Sequence, residues 1–261
     1  MPPVTDEVFE PLAAPAPTVA PPHGAAFAED DDRVGIQERM LAASNYNHWI
    51  VDQARAHLGE RVLDAGCGSG NLSALLLDRE LVVGVDVWDE FVDICEQRFA
   101  QDDNFEVARF DLADPAMVDA LRDRRLDSAI SSNVLEHVED DRAALGNIVD
   151  LLPPGAPIFL LVPAFMSIYG EHDREDHHFR RYTKRSMGEM VAPLPVTIER
   201  QYYMNLPGYF AWFILGRVLR RPVASGDIGF YEKVVPVVRA LEERVRPPFG
   251  QSLVTLLRTG E

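Results

Sequence analysis

Apolar positions along the middle of this chain come in two rhythms that take turns. Short continuous runs of strand length occupy residues 61–64, 81–86, 105–110, 126–131 and 158–162. Between them apolar residues recur three and four apart. Examples are residues 72–77, the set Phe91, Ile94, Cys95 and Phe99, residues 117–121, and the stripe Leu145, Ile148, Val149 and Leu152, which stops at Pro153-Pro154-Gly155. Buried strands and amphipathic helices produce these two rhythms. Their alternation predicts right-handed crossovers and a parallel sheet covered on both faces.

The flanks read differently. Residues 36–58 are helical in pattern, with a break near Ser44-Asn45, and Tyr46, Trp49 and Ile50 share one face. After Val162 the chain turns polar, and residues 163–182 are rich in His, Asp and Arg. A helix over 184–191, a strand over 196–203, helices over 206–221 and 230–245, and a final strand over 251–258 complete the pattern.

Composition narrows the partners. The chain has 42 acidic and 25 basic residues, a formal net charge of −17. That balance argues against nucleic acid, whose phosphates need a basic face, and against an anionic membrane surface. Residues 1–32 hold seven of the nineteen prolines and end in Glu29-Asp30-Asp31-Asp32. They are expected to be a disordered tail, because such a composition buries too little apolar area to offset ordering entropy. Residues 33–261 then form one domain. The two cysteines, Cys67 and Cys95, read as free thiols in a reducing compartment, and no secretory signal or bilayer-length apolar segment is visible. A cytoplasmic location follows as the expectation. A homodimer is left open.

The densest chemistry lies at Val62-Leu63-Asp64-Ala65-Gly66-Cys67-Gly68-Ser69-Gly70. Glycines after a strand let the backbone turn sharply and pass close to a ligand. The next strand ends on Asp86, an acceptor suited to two ribose hydroxyls. Ligands of such sheets bind beyond the carboxyl ends of the strands, where Asp64, Asp86, Asp111 and Asn133 all fall. The spacing is G-x-G-x-G, unlike the G-x-G-x-x-G of dinucleotide sites. With Asp64 two positions earlier, it resembles motif I of class I S-adenosylmethionine (SAM)-dependent methyltransferases. The resemblance runs on through Gly84-Val85-Asp86, Ala108-Arg109-Phe110-Asp111-Leu112 and Ser131-Ser132-Asn133-Val134-Leu135-Glu136-His137-Val138.

The resemblance implies a Rossmann-like α/β fold: a seven-stranded, mostly parallel sheet with helices on both faces. Its last strand is antiparallel and inserted beside the fifth. Residues 33–60 form an N-terminal helical cap, while 163–182 and 205–246 are substrate-side insertions, the latter a C-terminal helical cap. The implied cofactor is SAM, with S-adenosylhomocysteine as product. Amides of Gly66, Cys67, Gly68 and Gly70, with Asp64, suit the methionine end. Asp86 suits the ribose. By resemblance Val87 or Trp88 lines an adenine face, and Asp111 with Leu112 meets the exocyclic amine. Tyr46 is a candidate cap over the methyl donor, with core packing as the competing reading. Asp111 has its own competing reading as a helix cap.

Methyl transfer to a protonated nucleophile needs a base. The candidates are His137, His172, His177, His178, Tyr169 and Tyr182, with His177 or His178 preferred. The pieces Gly170-Glu171-His172-Asp173 and His177-His178-Phe179-Arg180-Arg181-Tyr182 resemble a segment of a bacterial methyltransferase subgroup acting on small molecules and glycans. A magnesium site at His172, Asp173 and His177 is an alternative, but magnesium prefers oxygen ligands and no zinc-like spacing appears, so no metal is assigned. A structural loop pairing its carboxylates with Arg180 and Arg181 is another. Residues 202–213 are dense in aromatics and read as helical core or as walls for a flat acceptor. The expected function is methyl transfer to a small aromatic or heterocyclic molecule on O, N or C. A sugar or lipid-linked glycan acceptor, or SAM binding without catalysis, are the alternatives.

Overall fold

A computed structural model describes residues 44–214 and 225–260. The expected tail over 1–32, the start of the first helical segment and residues 215–221 of the aromatic segment lie outside the described residues.

The helix α1 (Ser44–Arg55) leads into β1 (Arg61–Ala65). Then come β2 (Leu81–Asp86), α2 (Asp89–Arg98), β3 (Phe105–Arg109), α3 (Ala116–Leu121), β4 (Ser128–Ser132), α4 (Asp141–Leu151) and β5 (Pro157–Pro163). The second half adds α5 (Glu171–Glu175), α6 (Lys184–Val191), β6 (Val196–Met204), α7 (Leu206–Trp212), α8 (Ser225–Glu242) and β7 (Ser252–Thr259). One expected element is reduced: residues 72–77 form no full helix, only a 3-10 turn at Ser73–Leu75. Ser73 turns inward to Asp64 in place of continuing a helix, and Leu76 is buried as an anchor without a helical stripe around it.

The seven strands stand in the order β3-β2-β1-β4-β5-β7-β6. The first five pair in parallel, and β7 runs antiparallel between β5 and β6. Central strands are apolar on both faces, as in β2 and β5, where every residue is buried. Alternate residues therefore enter two cores. Leu63, Val83, Ile158 and Leu160 pack under α3, α4 and α6 with Met117, Leu145, Ile148 and Met187. Val62, Val82, Phe159 and Leu161 pack under α1 and α8 with Trp49, Ile50, Val235 and Val238. This doubly covered sheet is the expected Rossmann-like architecture. Chain reversal from β1 toward β2 on one side and β4 on the other opens a crevice at the carboxyl ends, the usual ligand position of such sheets. No helix among the described residues is long and apolar enough to cross a membrane.

Candidate active site

The crevice has two ends built from different parts of the chain. At the first, β1 runs into the glycine loop, and the N–H groups of Gly66 and Cys67 both donate to the Val85 carbonyl, at 2.8 and 3.0 Å. Gly66 holds φ +81°, and a Cβ there would lie 2.3 Å from the Val134 side chain. Glycine is required at this position on both counts. The same contact shows that the loop abuts the turn after β4. Gly70, at φ +76°, meets Phe99 in the same way.

Asp86, at the end of β2, accepts Gly68 N–H on Oδ2 at 2.8 Å and Trp88 N–H on Oδ1 at 3.1 Å. Each oxygen keeps acceptor capacity, which fits two ribose hydroxyls. Asp64 is buried and accepts the Ser73 hydroxyl at 2.6 Å. Burial raises its carboxyl to about 6, the charge of Asp86 adds to the rise, and the Ser73 hydrogen bond opposes it. A carboxyl held so has capacity left for a cationic amine, so the residues present fit the methionine end of SAM. Cys67 and Cys95 are buried free thiols, and Cys95 Sγ donates to the Gly68 carbonyl at 3.2 Å, bracing the loop from α2.

The other donor-side candidates are placed as follows. Asp111 Oδ1 accepts Ala113 N–H at 2.9 Å and shapes the turn ahead of α3. Leu112 is buried in the core, its carbonyl held by Asn147. The Val87 carbonyl accepts Arg109 Nε at 3.2 Å, and Trp88 is half-buried at the start of α2. Asn133 is exposed just past β4 in the left-handed region, φ 55°, with its N–H on the Leu161 carbonyl. Tyr46 packs edge-on against Trp49 and Tyr231 inside the core under α1 and α8. Its hydroxyl lies 3.3 Å from Ser252 Oγ, level with the carboxyl end of β5.

The second end is made where residues 163–182 fold back onto the 3-10 turn Leu135–His137 after β4. Phe179 N–H donates to the Glu136 carbonyl at 2.8 Å. Arg180 donates to the Val138 and Glu139 carbonyls and pairs with Asp141 at 2.9 Å. The Tyr182 hydroxyl donates to Asp141 Oδ2 at 2.7 Å, and its N–H to the Pro163 carbonyl. Below this seam lies a buried ion pair, Arg181 Nε with Asp173 Oδ1 at 2.6 Å, both side chains 1% exposed or less. The same Asp173 oxygen lies 2.9 Å from His178 Nδ1, and its Oδ2 accepts Gly170 N–H. Burial alone would raise the Asp173 carboxyl, but the hydrogen bonds from His178 and Arg181 outweigh it and hold it at about 2. His178 lies above the ordinary histidine range: burial opposes this, and the Asp173 hydrogen bond and the Glu136 charge prevail.

His178 meets His137 edge-on, ring centroids 4.5 Å apart. Desolvation first and the His178 charge second lower His137, although its solvent contact limits the first cause. Glu136 is fully buried and neither carboxylate oxygen has a hydrogen-bond partner. Burial raises it to about 7.

Of the six candidate bases, His137 and His178 are brought together, while the Tyr182 hydroxyl is turned to Asp141. Tyr169 stands behind them, its hydroxyl donating to the His178 carbonyl at 2.8 Å. His177 is exposed, in the left-handed region at φ 55°. The alternative metal set is not assembled: Asp173 is engaged by Arg181 and His178, and the His172 ring packs on Trp212 at 5.1 Å. Two residues of the site were given no role from sequence: Ser73, which orients Asp64, and Glu136, which is sealed beneath the histidines; Asp173 was weighed only as a metal ligand or ion-pair partner and instead orients His178. A carboxylate next to His137 was the visible signal for Glu136.

Residues 63–160 match the family model described as "Methyltransferase domain". A curated relative, an O-methyltransferase of Pyrenophora dematioidea, is 27% identical over 118 residues, 44% of this chain and 44% of that one. The putative methyltransferase solved in complex with the Trm112 methyltransferase activator of Haloferax volcanii superposes with a TM-score of 0.58 at 18% identity, covering 88% of this chain and 97% of that chain. The geranyl diphosphate C-methyltransferase of Streptomyces coelicolor gives 0.55 at 13% identity, covering 83% and 77%. Residues 63–160 are therefore similar to a methyltransferase domain, and the chain shares the fold of these solved methyltransferases. Matches to the curated relatives span 37% to 57% of those proteins' lengths.

Proposed function

We propose that the protein transfers the methyl group of SAM to a hydroxyl of a small, flat, apolar molecule bound over the turn Leu135–His137. The observation that carries this reading is the contact of the glycine loop with Val134. It sets the donor-binding loop against the turn that bears Glu136 and His137, one strand away in the sheet. The relative named an O-methyltransferase supports oxygen as the accepting atom.

SAM supplies a methyl already activated on a sulfonium. The chain's own work is alignment and exclusion of water. Gly66 to Gly70 and Asp64 hold the amino-acid end, and Asp86 the ribose. Phe165, packed on Tyr203 and Tyr209, offers an aromatic wall on the acceptor side. The hydroxyl proton leaves through the Glu136, His137 and His178 cluster, with Asp173 fixing the His178 ring. A panel of hydroxylated aromatics with methyl-labelled SAM tests the reading. Label on one or more phenolic oxygens is expected. Tight SAM binding with no transfer to any phenol, amine or sugar would make this a binding protein.

A further inference from the structure

A proton path explains why Glu136 faces the crevice, but not why both its oxygens are left without a partner. A fully buried carboxylate with two unpartnered oxygens is costly to keep. Such a group is retained where something outside the protein completes it. One oxygen of Glu136, one ring nitrogen of His137 and one of His178 all lie within 4.8 Å of one another. Among the described residues this is the group of three or more His, Cys, Asp or Glu side chains so arranged. We propose that Glu136, His137 and His178 bind a divalent transition-metal ion, with a free coordination position open to the crevice.

The surroundings support this. A ligating histidine normally has its second ring nitrogen fixed by a carboxylate or backbone carbonyl. His178 Nδ1 is held by Asp173 at 2.9 Å, leaving Nε2 as the ligand atom. Asp173 is itself locked by Arg181 and Gly170 N–H. Ligand atoms about 2.1 Å from a tetrahedral ion stand roughly 3.5 Å apart, so any pair of the cluster beyond that distance must draw in. Side-chain rotation of Glu136 and His137 supplies that. Two imidazoles and one carboxylate suit zinc, cobalt, manganese or iron, whereas magnesium favours oxygen ligands and near-complete hydration. The site shares Glu136, His137 and His178 with the proposed proton path, but it needs neither SAM nor an acceptor to form, so metal binding is read apart from methyl transfer.

The test uses the full chain, stripped with chelator and titrated with Co2+ under visible absorption and with Zn2+ by calorimetry. One equivalent of each is expected, with Co2+ bands of low-coordinate intensity that Zn2+ abolishes. Glu136→Gln and His178→Ala should each weaken Zn2+ binding by at least tenfold while SAM affinity, measured on the same samples, holds. If Glu136→Gln does not fold, His137→Ala, at an exposed position, carries the same expectation. Absence of a stoichiometric site, or Zn2+ binding that survives both Glu136→Gln (or His137→Ala in its place) and His178→Ala, overturns the proposal. Either result leaves donor binding and methyl transfer to be judged by their own assays.

Discussion

The two ends of the crevice are built by opposite strategies. The donor end is local: Asp64, the glycine loop, Ser73 and Asp86 come from 23 consecutive positions, and backbone amides do much of the holding. The proposed acceptor end is assembled across the fold. Glu136 and His137 follow β4, and Asp173, His178 and Arg181 follow β5; buried hydrogen bonds bind the two stretches together. A local site tolerates error elsewhere in the molecule. A composite one fails if any strut is removed, because each buried charge depends on another.

That contrast can be broken most forcefully at Arg181. Arg181→Met strips the buried Asp173 of its guanidinium partner and leaves it only His178 and Gly170 N–H, and stability should fall by about 3 kcal/mol in denaturant unfolding. An unchanged midpoint would show that the seam is not a structural strut. Next in size, His178→Ala should lower turnover by about 100-fold or more with SAM affinity intact, because the residue serves the acceptor end alone. A parallel loss of SAM affinity, read by calorimetry, would erase the distinction between the ends. Asp86→Ala acts in reverse, weakening SAM by about 1.5–3 kcal/mol through lost charge-assisted hydrogen bonds while the protein stays folded.

The mildest expectation concerns pH. Burial raises the Asp64 carboxyl to about 6. Below that value it is protonated and neutral, so it offers the cationic amine of SAM no charge. Above it the ionised form gains that partner. SAM affinity should therefore fall by about tenfold from pH 7 to pH 5, and Asp64→Asn should flatten the profile. A flat wild-type profile would remove Asp64 from the donor end.

Legibility followed the same division. The strand ends bearing Asp64 and Asp86 were readable because strand and loop chemistry are written in adjacent residues. The helix expected at residues 72–77 was not formed, since Ser73 turns inward to Asp64 in place of continuing a helix. In the histidine-rich stretch the residue types were visible but not their partners. His177 and His178 were equivalent on paper, and a left-handed backbone at His177 separates them. The carboxylates of residues 171–176 were expected to meet Arg180 and Arg181 or a metal. Asp173 meets Arg181 and His178 together, and Arg180 turns to Asp141 on another helix.

The chain alone determined the alternation of strands and helices, the order of the first five strands' chemistry, and the glycine geometry of the donor loop. Periodicity and φ preferences act over a few residues, so they are present before folding. Only the tertiary structure decided that Glu136 is sealed without a partner, that His137 meets His178, and that Asp173 stands behind them. Those facts depend on which distant surfaces exclude water together, and no short stretch of sequence carries that information.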